Sequence, residues 1–162
     1  MKRRKILGCL VFALFLSTVS STASAEITGP TILTTDFGST ELLSWSWEAT
    51  NSVNIGSVSG GGGAGKVKFD ELQLTRLSDS MSAQFLTIIS NGTSLPEVTL
   101  TRDNLTIVLR MVMISSYKIE GTSDKREPTT EEISLQFASV KFEIDGSAYC
   151  WDRTLNQSVP CN

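Results

Sequence analysis

From Leu43 the chain alternates, with Leu43, Trp45 and Trp47 interleaved by Ser44 and Ser46. This period-2 pattern predicts a strand with one buried face. A polar, glycine-rich stretch from Asn51 to Gly65 follows with no period of its own. It reads as a long loop, mobile or used for contacts. Val67 and Phe69 then open a second strand, but Leu72 and Leu74 continue it on the opposite parity. A period-2 pattern changes face only through an extra residue, so a bulge or sharp bend is expected near Asp70-Glu71. The switch recurs where Ile133, Leu135 and Phe137 give way to Val140, Phe142 and Ile144, across Ala138-Ser139. Two such switches suit strands that turn the corners of a barrel.

Between the switches lies one helical pattern. Met81, Phe85, Ile88 and Ile89 recur at i, i+4, i+7 and i+8 and gather on one face, predicting an amphipathic helix over about Ser80–Ser90. Ser78, Asp79 or Ser80 can cap its start, and Asn91-Gly92 supplies a left-handed stop. Val98 and Leu100 then form a strand and Asn104 a turn. The run Leu105 to Ile114 is apolar on both parities in part, predicting a central, two-sided strand. Tyr117 to Thr130 is polar, contains Pro128, and reads as a second long loop. The fold class is mainly β with one helix, and no internal repeat is visible.

The N-terminus changes the compartment. Lys2, Arg3, Arg4 and Lys5 precede an apolar run from Ile6 to Val19, and Ala23-Ser24-Ala25 places small residues at a signal-peptidase site. The run is shorter than the roughly 20 apolar residues of a spanning helix. Residues 1–25 are therefore expected to be a cleavable signal peptide, and 26–162 a single secreted or periplasmic domain. Ile6-Leu7-Gly8-Cys9 mimics a lipobox, but most of the apolar run follows Cys9, contrary to a lipidation site.

Cleavage removes four of the fourteen basic residues and none of the seventeen acidic ones, leaving a net charge of −7. An acidic chain without clustered Lys or Arg has no electrostatic footprint for nucleic acid or anionic lipid. Two cysteines remain, Cys150 and Cys161. Outside the cytoplasm such a pair is expected to form a disulfide, the alternative being free or intermolecular thiols. The bridge would close a loop of about a dozen residues, worth about 2–3 kcal/mol on the chain-entropy model.

Candidate chemistry is sparse. Gly60-Gly61-Gly62-Gly63-Ala64-Gly65-Lys66 resembles a phosphate-binding loop, but Val67 stands where Ser or Thr must hold magnesium, and a strand follows instead of a helix. Ser115-Ser116-Tyr117-Lys118 fits S-x-x-K without its partner K-T-G motif. The chain has no histidine, which removes the usual general base and the commonest zinc ligand. Asp70, Glu71, Glu131 and Glu132 are the carboxylates available for glycosidase-type chemistry, but they read better as solvated surface charge. Trp45 and Trp47 read as core, and Trp151 as the more exposed aromatic. No catalytic residue, cofactor or metal is expected.

Five strings resemble one family in its order. Leu42 to Ser52 (LLSWSWEATNS) looks like the "I-x-S-x-S-W-G-x-S-N-S" opening of Hcp, the tube protein of type VI secretion. Gly61 to Arg76 is similar to its Gly-rich loop and following strand. Pro96 to Arg102 (PEVTLTR), Val112 to Tyr117 (VMISSY) and Pro128 to Phe137 (PTTEEISLQF) resemble three later segments. The resemblance implies a compact β-barrel with one helix, self-assembly into hexameric rings that stack as tubes, and secreted protein cargo as a further partner. It also implies that the loop carrying Asn51, Gly60, Gly61, Gly62, Gly63 and Gly65 reaches a neighbouring subunit. The leader and the Cys150/Cys161 pair lie outside the family pattern. The alternative is a secreted binding module, for glycan or protein, built on the same barrel.

Overall fold

A computed structural model describes residues 29–51 and 67–161 of the chain. The predicted signal peptide and Gly60, Gly61, Gly62, Gly63 and Gly65 lie outside the described residues. Ten strands and one helix follow in the order β1 (Thr31–Thr35), β2 (Gly38–Ser46), β3 (Ala49–Asn51), β4 (Val67–Phe69), β5 (Leu72–Leu77), α1 (Ser82–Asn91), β6 (Leu95–Arg102), β7 (Leu105–Glu120), β8 (Thr130–Ile144), β9 (Ser147–Asp152) and β10 (Gln157–Ser158). The main sheet runs β10-β9-β8-β5-β2-β1-β6-β7, and β7 pairs back onto β8. That last pairing closes β8, β5, β2, β1, β6 and β7 into a six-stranded antiparallel barrel. β9 and β10 extend beyond it, and β3 with β4 forms a separate two-stranded sheet.

Closure depends on how β8 divides one edge. Its opening segment, Thr130–Leu135, pairs with β5, and its closing segment, Ser139–Ile144, pairs with β9. The other edge lies along β7 for almost its full length. The hand-over falls at Ala138, whose carbonyl accepts a bond from the Arg153 N–H at 2.8 Å.

The predicted parity switches are real, and the structure supplies their causes. At Asp70-Glu71 the chain leaves the small sheet and enters the barrel, so Phe69 is buried before the break and Leu72 and Leu74 after it. At Ala138-Ser139 strand β8 continues unbroken while its buried face changes. β7 changes with it, from Ile107 and Leu109 to Val112 and Ile114, and Met111 between them holds φ +50°. The two strands keep register across the change, Leu109 facing Val140 and Val112 facing Phe137. They bend together.

A third switch was not foreseen. β2 carries an irregularity between Leu42 and Ser44, which buries Thr40 and Leu42 on one side of it. Trp45 is half-buried beyond it, and Leu43, predicted to share the buried face, is exposed. The apparent two-sidedness of Leu105–Ile114 has the same origin. β7 does lie between two strands, but the face switch at Met111 leaves Met111 and Met113 exposed. β7 runs on to Glu120 and β8 starts at Thr130, so the predicted loop from Tyr117 contracts to residues 121–129.

Leu33, Leu72, Leu74, Leu100, Ile107, Leu109, Ile133 and Leu135 are almost wholly removed from solvent and form the core. The helix covers this core with Phe85, fully buried and edge-on to Phe37 at 5.1 Å. Its N-cap is Met81 and carries no side-chain capping bond, so none of the expected Ser78, Asp79 or Ser80 caps it. Asp79 orders the preceding turn, its Oδ1 accepting the Met81 N–H at 2.7 Å while Ser82 Oγ accepts the Asp79 N–H at 3.0 Å. The helix stops at Gly92, φ +62°, where the Gly92 and Thr93 amides reach the carbonyls of Ile89 and Ile88.

Candidate functional site

Asn51 ends β3 opposite Val67 of β4, and both flank the chain between 52 and 66. The small sheet is seated on the barrel by aromatics. Phe69 is buried, stacks on Trp47 at 5.3 Å, and meets Trp151 of β9 at 5.5 Å. Trp47 also lies edge-on to Phe137 at 5.9 Å. Trp151 therefore joins the core, half-buried, instead of standing free as a sugar-stacking surface.

Cys150 and Cys161 lie at disulfide distance, with Cα atoms 5.4 Å apart. Cys150 is buried in β9, while Cys161 is exposed. Trp151 and Asp152 pair with Ser158 and Gln157 of β10, and Val159 N–H bonds to the Cys150 carbonyl at 3.1 Å. Asp152 Oδ1 organises the intervening turn by accepting from the Thr154 and Leu155 amides.

An open cleft of about 660 Å³ lies beside the small sheet, bordered by Trp47, Glu48, Lys68, Asp70, Glu71 and Arg153. Lys68, Asp70, Glu71 and Arg153 among its charged groups are already engaged. Glu71 accepts from Ser115 Oγ at 2.8 Å and from Gln136 Nε2 at 2.7 Å. Asp70 meets Lys68 at 2.6 Å and raises the lysine's pKa. Arg153 lies over the Phe137 ring at 4.8 Å and donates to the Phe137 carbonyl at 3.1 Å.

Of the four carboxylates flagged in the sequence, Glu132 pairs with Lys118, which also meets Glu120. The S-x-x-K residues thus face different partners, Ser115 towards Glu71 and Lys118 towards Glu120 and Glu132. Glu131 departs from the surface-charge expectation. It is fully buried and bonds Arg76 Nη1 at 2.5 Å, and Arg76 is fully buried too. Arg76 also donates to Thr40 Oγ1 at 3.2 Å and pairs with Asp79.

The electrostatics of this knot are mutual. Burial pushes Glu131 up, but the neighbouring hydroxyls of Ser82, Tyr117 and Ser78 and the Arg76 charge bring it below its ordinary value. Asp79 is lowered chiefly by its bond from Arg76. Tyr117 is pushed up to about 12 by burial and by its carboxylate neighbour Glu131. The knot joins β5, β8, β7 and the start of α1. No spacing rule connects residues so far apart in the chain, and sequence reasoning missed it.

Apolar side chains also stand in solvent. Met111 and Met113 border a groove with Phe137 and Ile114, and Leu43, Ile119 and Leu155 are exposed elsewhere. Among the described residues no group of histidine, cysteine, aspartate and glutamate is arranged to hold a metal ion.

The family described as "Type VI secretion system effector, Hcp" matches residues 18–144. Similar solved structures agree. A structure of a type six secretion system protein superposes with TM-score 0.74 at 18% identity, covering 82% of this chain and 100% of its own. Hcp1 from Salmonella typhimurium gives 0.66 at 19%, covering 80% and 98%. Hcp1 from Flavobacterium johnsoniae gives 0.60 at 14%, covering 76% and 99%. No curated protein matches significantly.

Proposed function

The chain belongs to the Hcp family of type VI secretion, and from that premise we propose a structural protein that assembles into rings, hexameric in the simplest case. The observation that carries the reading is the family match to residues 18–144, a span that includes every strand of the closed barrel. The exposed apolar residues Leu43, Met111, Met113 and Ile119 give a barrel of this size surface to bury between copies. The chain between Asn51 and Val67 is the proposed arm to the neighbouring subunit. The role is architectural, with no chemistry assigned to the engaged carboxylates, and secreted protein is the proposed cargo of the ring.

The reading places the mature protein outside the cytoplasm, cut after Ala25, with Cys150 and Cys161 bridged. Light scattering on residues 26–162 across a concentration series tests the assembly. A six-fold mass is expected, and a strict monomer at high concentration overturns the ring. N-terminal sequencing of exported protein tests the leader, with Glu26 expected first.

A further inference from the structure

We propose that Lys125-Arg126 is a proteolytic processing site for an endoprotease that reads paired basic residues. Asp124 guards it, and the cut leaves the barrel closed but in two pieces. Beyond the leader, Lys125 and Arg126 are the only adjacent basic residues in the sequence. They lie in the loop between β7 and β8, and both are exposed, the Arg126 side chain at 89%. Exposed loop tips are where proteases enter folded chains. Every other basic residue among the described residues lies on a strand, except Arg153, which is bonded to the Phe137 carbonyl.

The loop carries one lock. Asp124 Oδ1 accepts the Arg126 N–H at 3.0 Å and Nε at 3.1 Å, and Oδ2 accepts Nη2 at 2.8 Å. The Asp124 carbonyl accepts the Glu127 N–H at 3.0 Å, which curls the chain where a protease needs it extended. Lys125 meets no carboxylate among the described residues. Pro128 biases Glu127 towards an extended backbone. An exposed ion pair is weak, so Asp124 slows the cut without preventing it.

In the cut, the hydroxyl of water adds to the Arg126 carbonyl carbon and the bond to the Glu127 nitrogen breaks. That nitrogen takes the remaining proton of water. Cys150 and Cys161 both lie in the second piece, so packing alone joins the two. The barrel supplies that packing. β8 stays paired with β7 and β5 and keeps Ile133, Leu135, Phe137 and Val140 in the core. The Arg76–Glu131 pair also spans the cut.

Folded protein, residues 26–162, is incubated with kexin, an endoprotease specific for paired basic residues, and followed by mass spectrometry and size exclusion. A single cut after Arg126 is expected, with pieces 26–126 and 127–162 eluting together at the mass of the uncut assembly. Arg126→Gln should abolish the cut, and Lys125→Gln should slow it by about tenfold or more. Asp124→Ala should speed it about threefold in the folded chain and leave a peptide of residues 119–131 unaffected. A folded chain that resists while the peptide is cut overturns the site, as does an earlier cut elsewhere. Pieces that separate overturn the two-piece barrel, and an equal Asp124→Ala effect in the peptide overturns the guard. The mass of the uncut protein reports on the ring independently of all three.

Discussion

Arg76 and Glu131, 55 positions apart in the chain, meet in the barrel wall with neither side chain reaching solvent. They face each other across adjacent strands, Arg76 of β5 directly opposite Glu131 of β8. Ion pairs buried in this way contribute little against an apolar replacement, but breaking one partner leaves a charge with nowhere to go.

Glu131→Gln is accordingly expected to destabilise the fold by about 3 kcal/mol, the low end of the range for a broken buried pair, because Asp79 still engages Arg76. The joint change Arg76→Met with Glu131→Leu should recover most of the loss. Urea unfolding of the three proteins checks both. The carboxylate's folded pKa lies below its ordinary 4.5, so its stabilisation is present above that value. It is lost as pH falls from about 4.5 through the lower folded value. Repeating the titration in acid should therefore show a steeper decline for the parent chain than for Glu131→Gln.

The alkaline side belongs to Tyr117. Its pKa is raised from 10.0 to about 12, so the contribution of the neutral phenol is complete below pH 10 and lost as pH rises through 12. The chain has two tyrosines, and Tyr149 is raised as well, by burial. Tyrosinate absorbance should therefore begin to develop above the ordinary range. In Tyr117→Phe the remaining signal should come from Tyr149 alone, and a full signal at pH 10 in the parent chain would contradict the assignment.

Met111 tests the coordinated bend. A left-handed backbone disfavours β-branched residues most strongly, so Met111→Val should cost about 1–2 kcal/mol although the side chain is exposed. Met111→Gly should be neutral or mildly stabilising, since glycine takes this conformation freely. Thermal unfolding separates the two, and equal losses would show that the side chain matters more than φ.

Phe85→Ala is expected to cost about 3–5 kcal/mol. The ring is fully buried, packs on Phe37, and lies 5.3 Å under the Arg76 guanidinium. Chemical denaturation measures the loss. A cost under about 1 kcal/mol would mean that the helix is not seated on the barrel.

What the sequence shows of this fold tracks how local each cause is. The helix was legible because its apolar spacing and its Asn91-Gly92 stop act within or beside its own turns, while the cap expected at Ser78, Asp79 or Ser80 gave way to Met81. The bends at Asp70-Glu71 and Ala138-Ser139 were legible because a parity change is written in consecutive residues. Leu43 misled because the irregularity beside it falls among residues apolar on both parities, Leu42 and Leu43, where alternation cannot say which is inside. Arg76 and Glu131 were invisible because charge is ordinarily read as surface, and only cross-strand register puts them together. At the candidate site, the cysteine pair could be read from compartment and count, while the strand edge it adjoins depends on the sheet order. Trp151 looked exposed because its partners Phe69 and Trp47 come from distant elements.

The division of β8 between β5 and β9 has a mechanical consequence. β9 returns along β8 through the tight turn at Asp145-Gly146, so a pull on the C-terminus loads this hairpin at its open end. Its bonds then break in succession, and of the barrel strands β8 alone shares this hairpin. When the two sulfurs are joined, tension bypasses residues 151–160 and enters at Cys150, in the middle of the hairpin. The tail is thus a handle whose point of attachment is set by a single covalent bond.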